Sequence, residues 1–123
     1  MANPNIVNVA TINGNTKAAA VGTSITEICS NGVSSGKIFK VNVLYVANID
    51  GATAADLTVN HYSQAALGGT AIAIASTVAV AADSTLVLIT KDTAIYLLEN
   101  TSLGCLCATS GDLQFVASWD EIT

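Results

Sequence analysis

Apolar and polar residues alternate with a period of two along most of this chain, and that period commits it to pleated strands. Leu57, Val59 and His61 alternate with Asp56, Thr58 and Asn60. Leu113, Phe115, Ala117 and Trp119 alternate with Asp112, Gln114 and Ser118. Between residues 37 and 48, Phe39, Val41, Val43, Tyr45 and Ala47 make one apolar face. Lys40 and Asn42 begin the opposite face, which turns apolar at Leu44 and Val46. That pattern reads as a strand half-buried at its start and covered on both faces later. The 12 Val, 11 Ile and 14 Thr are residues that suit a half-buried pleated surface.

Turn pairs punctuate these runs: Asn13-Gly14, Asn31-Gly32, Asp50-Gly51, Gly68-Gly69 and Gly111-Asp112. Asp50-Gly51 separates two alternating runs and Gly111-Asp112 follows a third, so hairpins are expected at both. The strands then fall at 6–11, 17–21, 25–30, 37–49, 56–62, 71–75, 85–90, 95–98, 103–108 and 113–118, with a single helical turn at 64–67. Many short strands with regular turns predict an all-β, antiparallel, single-domain β-sandwich of immunoglobulin-like or jelly-roll type. It spans residues 1–123, with 1–15 as an N-terminal arm.

Composition narrows the function classes. Charged residues make up 11% of the chain, four Lys and nine Asp or Glu with no Arg, for a net charge of −5. Soluble domains average about 25% charged residues, and here Ser, Thr and Asn fill the gap together with 20 Ala. A groove for nucleic acid needs clustered Lys and Arg, so that partner is excluded. A surface of hydroxyls, amides and methyls is easily covered by another protein, because few ions must lose their water. The first ten residues lack the basic start and apolar run of a signal peptide. The most apolar run, 71–82, is too short for a membrane-spanning helix. No membrane partner is expected; the chain is expected to stay in the cytosol or to leave it by a route other than secretion.

Catalysis has little to work with. His61 is the sole histidine and shares a face with Leu57 and Val59, so it reads as a packed side chain. Metallopeptidase, nucleophile-elbow and phosphate-loop motifs are absent from the sequence. Cys29, Cys105 and Cys107 are odd in number, and the last two, one strand repeat apart, are poorly placed for a disulfide. They read as buried, reduced thiols. No catalytic residue, metal ligand or cofactor is therefore expected. Stacking on sugar rings would need Tyr45, Tyr62, Tyr96 or Trp119 on an exposed platform, whereas Tyr45 and Trp119 lie on apolar faces.

Two segments read as candidate interfaces. In 71–81, Ile72, Ile74, Val78 and Val80 carry the bulk of one face, and Ala71, Ala73, Ala75 and Ala79 lie opposite. Such a flat methyl face is a subunit contact or an inert solvent face, unless the segment is an irregular loop. Near the N-terminus, Asn5, Val7 and Val9 belong to an alternating segment. It either adds a strand to an adjacent subunit or completes its own sheet.

The run Lys37-Ile-Phe-Lys-Val-Asn-Val-Leu-Tyr-Val-Ala-Asn-Ile-Asp50, followed by Ala55-Asp-Leu-Thr-Val59, resembles small virion proteins of tailed bacteriophages, including cyanophages. The segments Asp83-Ser-Thr-Leu-Val-Leu-Ile89, Ile95-Tyr-Leu-Leu-Glu-Asn-Thr-Ser-Leu103 and the closing Ser118-Trp-Asp-Glu-Ile-Thr123 extend the resemblance over residues 37–123. It implies a non-enzymatic β-sandwich subunit of a virion, assembled in the host cytoplasm. Such a subunit is a capsid decoration (cement) protein or a neck or tail accessory protein. The partners implied are further copies of the chain in a homo-oligomer and the major capsid, neck or tail proteins. The alternative is a receptor- or glycan-binding sandwich of a tail tip.

Overall fold

A computed structural model of the chain describes residues 10–123. The strands are β1 (Ile12–Ala20), β2 (Thr26–Asn31), β3 (Ile38–Asn48), β4 (Ala55–Gln64), β5 (Gly68–Val80), β6 (Thr85–Ile89), β7 (Ile95–Leu97), β8 (Thr101–Cys107) and β9 (Leu113–Ile122), with a 3-10 turn at Lys91–Thr93. One sheet has the order β1-β9-β3-β6, with β7 also on β3; the other has the order β2-β8-β4-β5. All the pairings are antiparallel.

The pairings are nested. β1 takes β9, β2 takes β8, β3 takes β6 and β7, and β4 takes β5. One long hairpin has rolled up into two sheets, which makes this sandwich a jelly roll rather than an immunoglobulin-like fold. Its tip is the turn at Ala65, Ala66 and Leu67, where Ala66 and Leu67 hold positive φ of 56° and 62°. That conformation costs L-residues about 1–2 kcal/mol each. Side chains of β2, of β8 and of the turn before β8 offset the cost by accepting the turn's amides. Ala65 N–H donates to Asn100 Oδ1 at 3.0 Å, Ala66 N–H to Ser30 Oγ at 2.9 Å and Leu67 N–H to Ser102 Oγ at 2.9 Å. The tip is a hairpin turn, where the sequence suggested one turn of helix.

Three other expectations change. Asn13-Gly14 does not turn: it lies inside β1, opposite Glu121 and Asp120. Residues 12–15 of the expected arm therefore belong to the sheet. Asp50-Gly51 and Gly111-Asp112 do not close hairpins, because β3 and β4, and likewise β8 and β9, lie in different sheets. Both are corners where the rolled hairpin changes layer. In β3 the register shifts between Val41 and Val43. The buried face passes from Phe39 and Val41 to Leu44 and Val46, leaving Val43, Tyr45 and Ala47 off the core. A bulge of one residue exchanges the two faces of a strand.

The core lies between the sheets, built on Phe115, Ile28, Leu44, Leu57, Leu103 and Leu113. Each such side chain contributes roughly 1.5–3 kcal/mol by leaving water. Phe39 and Trp119 stack with ring centroids 6.3 Å apart. Two buried amides pin the corners. Asn31 Nδ2 donates to the carbonyls of Lys37 and Leu97. Asn48 Nδ2 donates to those of Thr53 and Val80.

Candidate functional site

The feature that stands out is β5. It is 13 residues long, carries no charged side chain and, among the described residues, closes one edge of the second sheet. Most edge strands are blunted by charge, proline or brevity; β5 has none of these. It does have bulges. Its register against β4 shifts between the partners of Leu57 and Val59, of Val59 and Asn60, and of Tyr62 and Gln64, each time with an extra residue on β5. Hydroxyls on β4 take up amides of the distorted strand: Thr77 N–H donates to Thr58 Oγ1 at 3.1 Å, and Thr70 N–H to Ser63 Oγ at 2.8 Å. Gly69, at φ +73°, passes so close that a Cβ would collide with Ser63 Oγ.

The bulges decide where the alanines go. Ala71, Ala73 and Ala79 are exposed, opposite Tyr62, Asn60 and Asp56. Ala75 was expected beside them but pairs with Val59 and is buried in the core, 7% exposed. An extra residue on either side of it inverts its direction. Ile72, Ile74 and Val78 remain exposed, Ile72 at 64%. Asn5, Val7 and Val9 lie outside the described residues.

Beside Ile74 a groove of about 410 Å³ opens between the two sheets. His61 and Ile74 belong to the wall contributed by β4 and β5; Leu88, Ile89, Thr93, Ile95 and Tyr96 form the wall from β6 to β7. The opposite side of the sandwich is bridged by Lys17 of β1, whose Nζ donates to the Glu27 carbonyl of β2 at 2.8 Å. The groove was not legible in the sequence, because its walls come from separate parts of the chain. His61 is half-buried, as a wall residue. Tyr62 and Trp119 are buried, and Tyr96 is an exposed aromatic at the groove.

The three thiols are buried. Burial, reinforced by nearby Glu27, pushes Cys29 up to about 12. Burial, with Cys107 beside it, pushes Cys105 to about 12 as well. Burial also raises Cys107, against a lowering backbone hydrogen bond from Thr109. A thiol held protonated is a poor nucleophile at neutral pH. Among the described residues no group of three or more His, Cys, Asp or Glu is arranged to hold a metal ion. None of their helices is long and apolar enough to cross a membrane.

No family model and no curated protein matches the sequence. Among solved structures the fold is similar to a subunit of Bacillus endospore appendages, described as a novel family of disulfide-linked pili. The TM-score is 0.54 at 15% identity, covering 92% of this chain and 87% of that one. Infectious bursal disease virus particles give a TM-score of 0.47 at 12% identity for the T13 particle. The Gx strain gives 0.44 at 13% identity. Each viral match covers 93% of this chain, which spans about a third of the viral chains (31% and 33%). The pilus likeness establishes a shared all-β fold. Those pili are described as disulfide-linked; in the present chain the three cysteines are buried free thiols.

Proposed function

We propose that this chain is a non-enzymatic structural subunit of a tailed-phage virion, either a capsid decoration (cement) protein or a neck or tail accessory protein. It is assembled in the host cytoplasm and binds its own copies and the neighbouring major capsid, neck or tail proteins. The observation that carries this reading is β5, a long, uncharged, apolar strand edge with Ile72 standing out into solvent. A free edge offers a row of main-chain donors and acceptors to a neighbour, and the side chains beside it offer fit rather than reactivity. The low charge of the whole chain favours the same use. In this reading the segment bearing Asn5, Val7 and Val9 supplies a strand to a neighbour or to its own sheet.

The test is the protein inventory of purified particles from the phage whose genome encodes the chain. Quantitative mass spectrometry is expected to find it at a fixed, stoichiometric copy number; its absence from washed particles refutes the proposal. A second reading is supported by Tyr96, exposed beside Thr93 at the groove: a glycan-binding sandwich of a tail tip. Retention of the purified protein on cell-wall polysaccharide, lost on Tyr96→Ala, would favour it.

A further inference from the structure

Three donors converge on one carboxylate at one end of the first sheet. Glu121, near the end of β9, accepts Asn15 Nδ2 of β1 at 2.7 Å and the Trp119 indole N–H at 3.4 Å, both on Oε2. Lys37, the residue that leads into β3, donates from Nζ to Oε1 of the same group at 3.2 Å. The register explains the meeting. Asn15 lies opposite Trp119 and Glu121 lies opposite Phe39, so these side chains share one face of the sheet. The stacked rings of Phe39 and Trp119 are its apolar floor. Asn15 and Glu121 are half-buried there, whereas the Lys37 side chain is 38% exposed and free to adjust.

An ion pair accounts for Lys37 and Glu121 alone. With Asn15 the set acquires a chemistry: an amine and a carboxamide held on the two oxygens of one carboxylate are a nucleophile, an electrophile and a proton carrier. We propose that Lys37 and Asn15 join in an isopeptide bond that the folded protein makes on itself, with Glu121 carrying the protons.

The atoms balance without any co-reactant. Glu121 Oε1 takes a proton from the Lys37 ammonium, and the freed lone pair on Nζ attacks Asn15 Cγ. The Nζ–Cγ bond forms and the Cγ–Nδ2 bond breaks. Nδ2 already touches Oε2, so Glu121 hands it the proton it needs to leave as ammonia. The second proton shed by Nζ follows through the same carboxylate, which ends in its starting state. One ammonium and one carboxamide become one secondary amide and one ammonium ion, with nothing oxidised or reduced. Holding both reactants on one carboxylate removes much of the entropy of bringing them together.

Lys17 is the other lysine close to Asn15, two residues along β1, but its Nζ is held by the Glu27 carbonyl at 2.8 Å. The link has a structural consequence. β1 is the outer strand of its sheet among the described residues and pairs with β9 alone. A covalent tie from β1 across β9 to the start of β3 keeps β1 from peeling away, and it restricts the unfolded chain as a disulfide does. The reaction turns over once, on the chain itself, so it holds whether or not the chain belongs to a virion.

Intact-mass spectrometry of the purified protein, reduced and denatured, is expected to read about 17 Da below the mass of its sequence, one ammonia lost per link. Tandem spectra of a digest are expected to show a branched peptide joining Asn15 to Lys37. Lys37→Arg keeps a cation beside Glu121 without an attacking amine and is expected to retain its full mass. Glu121→Gln is expected to slow the linkage by roughly 10²-fold or more. Circular dichroism checks that both variants remain folded. Wild-type protein still at full mass after prolonged incubation in the folded state overturns the inference. So does the same loss in Lys37→Arg, as a succinimide at Asn13-Gly14 would give, or a Glu121→Gln variant that links at the wild-type rate. None of these results bears on the particle inventory, so the cross-link and the virion reading fail separately.

Discussion

Replacing Asn48 by Ala should destabilise the protein far more than removing any surface amide. Asn48 is buried at the end of β3, 3% exposed. Its Nδ2 donates to the Thr53 carbonyl at 3.0 Å and to the Val80 carbonyl at 2.9 Å, and its Oδ1 accepts the Asp50 N–H at 2.9 Å. One side chain thus ties the β3–β4 corner to the last residue of β5. Alanine removes all three bonds and leaves the Val80 carbonyl in the interior without this donor. Each buried polar group stranded in this way costs about 1–3 kcal/mol. With the half-exposed corner groups recovering bonds to water, the net loss comes to about 2–4 kcal/mol, a large share of the 5–15 kcal/mol that holds a typical domain together. For 123 residues the entropy of unfolding makes each kcal/mol worth about 4 °C, so Tm should fall by about 8–16 °C. Thermal denaturation followed by circular dichroism measures it. Asn42→Ala is the control: its Nδ2 reaches Asp120 Oδ2 at 3.1 Å on a half-buried face, where the released carboxylate regains water, so its loss should cost no more than about 1.5 kcal/mol. A fall in Tm for Asn48→Ala no larger than for Asn42→Ala would refute the reasoning.

Two further outcomes are expected. At Gly104 an added Cβ would meet Leu67 Cδ2 at 2.6 Å, Ile25 Cγ2 at 3.1 Å and Tyr62 Cε2 at 3.2 Å. Gly104→Ala should therefore cost about 1–3 kcal/mol through overpacking, read as a lower urea midpoint, and an unchanged midpoint would show that this outer cluster yields freely. Alkaline pH should also destabilise the fold. Cys29 and Cys105 rise from about 9 to about 12 on folding, so above pH 9 the unfolded chain gives up protons that the folded chain keeps. Stability is fully present below pH 9 and falls by roughly 1 kcal/mol per pH unit for each thiol as pH rises toward 12. Urea titrations across that range should show a shallower fall for Cys105→Ala than for wild type; equal slopes would remove the thiols as the cause.

The period-two pattern was enough to establish an all-β antiparallel sandwich and to place much of its core. Leu57, Val59, Leu113, Phe115 and Ala117 are buried as their alternation requires, because a strand turns successive side chains to opposite faces whatever it pairs with. Local sequence also marked where the chain bends, at Asp50-Gly51 and Gly111-Asp112. It did not say whether the chain returned to the same sheet or crossed to the other. That choice is made by partners distant in sequence, such as β1 with β9 and β2 with β8.

The same limit explains Ala75 and the exchange of buried faces along β3. A bulge inserts one residue without altering composition or period on either side, yet it inverts every side chain beyond it. The groove beside Ile74 is likewise a product of rolling, assembled from strands that meet only in the folded chain. The sequence by itself determined the pleat, the reduced thiols and the uncharged length of β5. Tertiary structure alone decided that β5 lies at an edge among the described strands, because an edge is defined by the pairing of strands distant in sequence.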